Sequence, residues 1–212
     1  VTVFAPRAIY LPFAVREACT RRARPLDVVL AIDTSQSMTE PAGAGASVTK
    51  LAAAVAAARA FVDQLWLTGD ALTTDRAAIV AFDDAARLIV PLTDDANALR
   101  VALAGAETDP GTRLDRGLDA ALVALGAART DARTAVVLLT DGRQNGELAP
   151  VVAAAERVRA TGAQLHVVGL GADVDAPFLR TLVAAAEAYH AAAGAAELIA
   201  LYESLSEGLV CR

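Results

Sequence analysis

Apolar residues recur along this chain in two alternating rhythms. Short, mostly apolar runs stand at 26–33, 76–83, 86–92, 134–140 and 164–170. Each has strand length and is too short for a buried helix. Between most of them the spacing lengthens to three and four. In 50–65, Leu51, Ala54, Val55, Ala58, Phe61, Val62 and Leu65 share one helical face, and Leu114, Leu118, Ala121, Leu122 and Leu125 do so in 114–128. The pattern predicts further helices at 96–104, 149–160, 177–188 and 196–208, and a short strand around His190.

Short apolar strands alternating with amphipathic helices imply a parallel sheet covered on both faces. One junction breaks the rule. The stretch FDDAARLIVPL leaves only a few polar residues between two strands, enough for a hairpin and too few for a crossover. Its second strand therefore runs antiparallel at an edge, where Pro91 is tolerated. The expected fold is α/β: a doubly wound, mostly parallel open sheet with one antiparallel edge strand and helices on both faces, over residues 25–212. Residues 1–24, with Pro6, Pro12 and no sustained period, read as an extended N-terminal arm.

Composition narrows the function classes. The 212 residues suit one domain, and 55% hydrophobic content with only 4% aromatic predicts a core of Ala, Val and Leu at short helix–sheet distances. A net charge of −6 argues against a nucleic-acid partner. Arginine supplies all the cations but one, Lys50, a usage that points to a GC-rich, bacterial coding bias. No apolar run reaches the ~18 residues of a membrane helix, so no insertion by this segment is expected. The chain opens on Val1 and shows no signal-peptide pattern, as expected of a processed or trimmed product.

The candidate chemistry lies at the strand ends. The first strand finishes in DTSQS, setting Asp33, Ser35 and Ser37 two residues apart, a spacing that in extended chain aims side chains the same way. The strand at 134–140 leads into Asp141-Gly142, and Thr112 stands ahead of the 114–128 helix. In doubly wound sheets ligands bind beyond the carboxyl ends of the strands. Five oxygen side chains with no nitrogen or sulphur suit a hard divalent cation, Mg²⁺ first, with Mn²⁺ or Ca²⁺ possible. Taken singly, each has a simpler explanation. Thr112 can cap the helix with Asp115 at the capping-box position, and Asp141-Gly142 is an ordinary turn.

At these residues the sequence resembles a von Willebrand factor type A domain over about residues 26–210. Asp33-Thr34-Ser35-Gln36-Ser37, then Thr112, then Asp141 fill all five positions of that family's metal ion-dependent adhesion site. The resemblance implies a protein-binding module whose metal coordinates an Asp or Glu of a partner. Gln36 and Pro110 stand where glycine is common in the family, which bears on loop shape and not on the ligands. Gln36, Arg113, Arg143, Gln144 and Asn145 are candidates for a ligand-selecting rim. The resemblance also implies that binding can couple to the last helix.

Cys19 and Cys211 bracket the folded region. With the first strand starting, and the last helix ending, at the base of the sheet, their sulphurs are placed to form a disulfide opposite the metal, as some family members tie their ends. A bridge implies an oxidising, extracellular or cell-surface location; the alternative is two unpaired thiols. Two further readings remain: an intracellular assembly subunit of the chelatase or ATPase-linked kind, and a Mg²⁺-dependent phosphatase-like enzyme. The second lacks the Asp expected two residues after Asp33, where Ser35 stands, and no His or Lys is positioned as a base, so no catalysis is expected. His166 and His190 read as structural histidines, Trp66 as packing, and Asp83 and Asp84 as the hairpin turn, with Asp83, at a strand tip, also a candidate to border the site.

Overall fold

The computed structural model describes residues 24–68 and 73–210. All of the expected arm but Arg24, and both cysteines, Cys19 and Cys211, lie outside the described residues. Six strands form one sheet in the order β3-β2-β1-β4-β5-β6. They are β1 (Leu26–Asp33), β2 (Arg76–Phe82), β3 (Ala86–Thr93), β4 (Arg133–Thr140), β5 (Gln164–Leu170) and β6 (Tyr189–Ala192). All neighbours pair in parallel except β2 and β3, which form the expected antiparallel hairpin with exposed Pro91 on the edge strand.

Every residue of β1 is buried, because the central strand has helices on both sides. Val28, Leu30 and Ile32 face one layer, made by α1 (Lys50–Gln64), α2 (Ala96–Ala104) and α6 (Ala195–Val210). Val29 and Ala31 face the other, made by α3 (Leu114–Leu125), α4 (Ala149–Ala160) and α5 (Ala176–Thr181). The alternation follows from the period-two geometry of a strand. Small residues bring the layers close: a Cβ on Gly117 of α3 would stand 2.7 Å from the Phe82 ring.

Two helices differ from expectation. α3 stops at Leu125, where Gly126 takes the C-cap position. The helix expected over 177–188 is instead the six-residue α5, a turn, and a 3-10 turn at Ala186–Ala188. Leu182 begins the break. Its carbonyl accepts a hydrogen bond from the Arg159 guanidinium of α4, and its side chain is fully buried. The chain is then delivered into β6 beside β5.

At the base of the sheet, away from the strand tips, Asp27 is fully buried. It accepts from Arg76 Nη2 at 2.6 Å, from Arg129 Nη2 at 2.6 Å and from the Arg129 backbone N–H at 2.8 Å. Burial works against its charge, but the Arg76 and Arg129 bonds outweigh that and hold the carboxyl below the usual range.

Candidate functional site

The strand order reverses at β1: α1 leaves it for one face, while α4 leaves neighbouring β4 for the other. The gap between those two connections is where such sheets bind ligands. Register places Ile32 beside Leu139, so Asp33 at the tip of β1 meets Thr140 at the tip of β4. Thr140 Oγ1 donates to Asp33 Oδ2 at 2.5 Å, and the Ser35 N–H donates to Asp33 Oδ1 at 2.8 Å. Asp33 is 0% exposed. Burial, helped a little by the Asp141 charge, raises its carboxyl to about 6 against the pull of the Thr140 and Ser35 bonds.

Ser35 and Ser37 do not simply continue the strand, as the two-residue spacing suggested. β1 ends at Asp33, and a 3-10 turn begins at Gln36. The Ser35 bond to Asp33 makes the first bend, and fully buried Met38 pins the second into the core. The hydroxyls nevertheless converge. Ser35 Oγ and Ser37 Oγ are 2.9 Å apart, and Ser37 Oγ donates to Asp141 Oδ1 at 2.8 Å.

Thr112 reaches the same place on a loop stitched from both sides. The Asp109 N–H donates to the Thr34 carbonyl at 2.9 Å, and the Arg113 N–H to the Asp83 carbonyl at 2.8 Å. Gly111 turns the loop with a φ of 92°, and a Cβ there would stand 2.7 Å from Asp84 Cβ. Thr112 does not cap α3. Arg113 occupies the N-cap without a side-chain bond, and the Leu114 N–H is taken by Gln144 Oε1 at 2.7 Å. Across the loop, a Cβ on Gly142 would be 3.7 Å from Thr112 Oγ1 and 3.8 Å from Ser37 Oγ, so the missing side chain keeps a space beside both hydroxyls.

The candidate rim divides into two groups. Gln144 and Asn145 staple loops together: Gln144 Nε2 donates to Asp115 at 3.0 Å, and Asn145 Oδ1 accepts the Thr112 N–H at 2.6 Å. Arg113 pairs with Asp115 at 2.7 Å. Gln36 and Arg143 are exposed, and Arg143 lines a cavity of about 390 Å³ with Ser37, Thr112, Asp141 and Asn145. Glu40, Lys50 and Asp173 complete its wall.

Sequence reasoning passed over Lys50 and Glu40. Lys50 opens α1 yet is only 5% exposed, and its Nζ donates to Asp141 Oδ2 and Glu40 Oε2, each at 2.8 Å. Burial opposes the charge, but these two bonds outweigh it and hold the ammonium above the ordinary lysine range. A detectable signal was present. This is the one lysine in the chain, at a helix N-terminus, where the macrodipole disfavours a cation. Asp83 also does more than turn the hairpin: it accepts from Thr34, Ala85 and Arg87 under the Thr112 loop.

The donor set fits a hard cation. Two carboxylates and three hydroxyls, with space kept by Gly142, match oxygen-ligand chemistry, and Asp33 has no basic side chain among its hydrogen-bond partners. Among the described residues no group of three or more His, Cys, Asp or Glu is placed to hold a metal, so any cation here depends on hydroxyls. His166 and His190 lie elsewhere, their ring nitrogens 3.4 Å apart between β5 and β6.

Comparison with known proteins agrees with this fold. A family model described as von Willebrand factor type A domain matches residues 28–144. No curated protein matches the sequence. Among solved structures, the vWF domain of the type V pilus tip protein Mfa5 from Porphyromonas gingivalis superposes with a TM-score of 0.71 at 16% identity, covering 88% of this chain and 96% of that one. Proximal thread matrix protein 1 from the mussel byssus, with a zinc-occupied MIDAS motif, gives 0.73 at 20% identity over 87% and 45%. A von Willebrand factor type A protein from Catenulispora acidiphila gives 0.69 at 22% over 87% and 42%. This chain therefore spans less than half of the last two, and at these identities the likeness is one of fold.

Proposed function

The chain belongs to the von Willebrand factor type A domain family, and on that footing we propose that it is an adhesion-type binding module. Asp33, Ser35, Ser37, Thr112 and Asp141 would hold one divalent cation, Mg²⁺ in preference to Mn²⁺ or Ca²⁺. When bound, the ion would supply an electrophilic point for an Asp or Glu carboxylate of a partner protein. The rest of the work falls to the chain itself. Gln144 and Asn145 hold the Thr112 loop against the Asp141 loop, and exposed Arg143 and Gln36 are available to the partner around the cavity.

The observation that carries the reading is the state of Asp33: a fully buried carboxylate beside three gathered hydroxyls, paired only with a hydroxyl and an N–H. A buried carboxylate so placed is costly unless a cation joins it. We assign the site no catalysis, since Lys50 is committed as an ammonium to two carboxylates and offers no base. The pilus and byssus relatives support an extracellular or bacterial surface setting.

Thermal melting in Mg²⁺ and in EDTA, on wild type and Asp33→Ala, tests the proposal. The wild type is expected to melt several degrees higher in Mg²⁺, and the variant to melt equally in both. Four superimposable curves would refute it.

A further inference from the structure

Lys50 is the feature that the proposed function leaves unused. Its backbone N–H donates to the Glu40 carbonyl at 2.8 Å while its Nζ donates to the Glu40 carboxylate, also at 2.8 Å, so the 40–50 loop is closed twice at the same point. The same Nζ reaches Asp141 on Oδ2, the oxygen that Ser37 does not use; Ser37 holds Oδ1. The stem is enclosed too, with Lys50 Cε 3.7 Å from where a Gly171 side chain would begin. A cation at the first position of a helix opposes the macrodipole, so these two carboxylates must outweigh that penalty.

The charges add a second argument. Asp33, Asp141 and Glu40 contribute three negative charges and Lys50 one positive charge, leaving an excess of two. That excess is what a divalent ion neutralises. Without the ion, Lys50 is the one side-chain cation whose bonds reach this cluster among the described residues.

We infer that Lys50 is a tethered counter-cation of the site: its ammonium keeps Asp141 and Glu40 in place when no metal is bound, and lowers the affinity for the metal by sharing the carboxylate charge. The inference rests on the divalent-cation reading above. Because Oδ1 of Asp141 is left to the hydroxyl side, Lys50 tunes the site and does not plug it. Such a site keeps its shape when the ion leaves and releases the ion readily.

Lys50→Met keeps the apolar stem and removes the charge; Lys50→Gln keeps a donor as well and serves if the methionine variant folds poorly. Free Mn²⁺ is followed by electron paramagnetic resonance during titration of each folded protein, and melting in EDTA is recorded alongside. The neutral variant should bind Mn²⁺ at least about tenfold more tightly than wild type, because the ammonium no longer repels the ion, and melt lower in EDTA. Equal or weaker Mn²⁺ binding by both variants overturns the inference, even if wild type binds well and the proposed function stands. Binding by the variant but not by wild type would uphold Lys50 as the resident cation while removing the metal-dependent function. Binding by neither overturns both.

Discussion

Gly142→Ala separates the cation site from the fold that carries it. Gly142 is not among the glycines with positive φ, so alanine fits its backbone. The added methyl would meet Thr112 Oγ1 at 3.7 Å and Ser37 Oγ at 3.8 Å, ordinary contact distances that force no rearrangement. Replacing glycine at a compatible position stabilises a protein by roughly 0.4–1 kcal/mol through the unfolded chain. In EDTA the variant should therefore be as stable as wild type or slightly more so. In metal the sign reverses, because the methyl takes up space beside two of the proposed ligands. With Mg²⁺ at a hundred times the dissociation constant, wild type gains about 2.7 kcal/mol. If the methyl weakens binding about a hundredfold, the gain falls to about 0.4 kcal/mol. For a chain of this size that is a Mg²⁺-induced rise of roughly 5–11 °C reduced to about 1 °C. Scanning calorimetry with and without Mg²⁺ measures both quantities. A variant that keeps the full Mg²⁺ shift would show that the space between Ser37 and Thr112 is not where the ion sits.

Other consequences concern the fold. Asp27→Ala leaves two arginines without their shared carboxylate and should cost about 3–5 kcal/mol in urea unfolding, with Mg²⁺ affinity unchanged because the residue is at the opposite end of the sheet. Since the folded state holds the Asp27 carboxyl below its unfolded value, this contribution is full above about pH 4 and fades as pH falls further. The gap between variant and wild type should therefore narrow at pH 3, and a constant gap would contradict the ion-pair account. His166 has the opposite chemistry with the same sign. Burial, and then the nearby His190, lower it to about 4, so the folded state resists its protonation. The His166 contribution should be complete above about pH 6.5 and be lost toward pH 4, by at most about 3 kcal/mol, while the raised Asp33 carboxyl works in the opposite direction below about pH 6. Relative to wild type, the urea midpoint of His166→Leu should therefore rise as pH falls from 6.5 toward 4, and a constant difference between the two proteins would exclude the histidine as a source of the pH dependence.

The elements were legible where periodicity and burial agree. β1 and β5, buried between helices, have the boundaries that their apolar runs predicted, and the short FDDAAR connection marked the antiparallel edge. The 177–188 stretch was misread because alanine-rich sequence continues a helical period. Where α5 ends, the Leu182 carbonyl is held by a tertiary bond from Arg159, which no local pattern carries. At the site, Asp33, Ser35, Ser37, Thr112 and Asp141 were each visible as oxygen residues at strand or helix ends. Their convergence depends on buried Met38 and on Gln144 and Asn145, which the sequence offers as rim candidates but whose role as loop staples depends on partners about thirty residues away. Lys50 and Asp27 were missed for one reason: a charged residue at the start of an element reads as surface, and its burial is decided by partners far along the chain.

The central claim is that oxygens from three separate loops share one ion, and Thr112, remote in sequence from both aspartates, tests it most directly. Calorimetric titration of Mn²⁺ into wild type and Thr112→Val should give one ion per wild-type chain and at least tenfold weaker binding in the variant, with EDTA melting little changed. Equal affinity in the two proteins, or no saturable binding to wild type, would contradict the account.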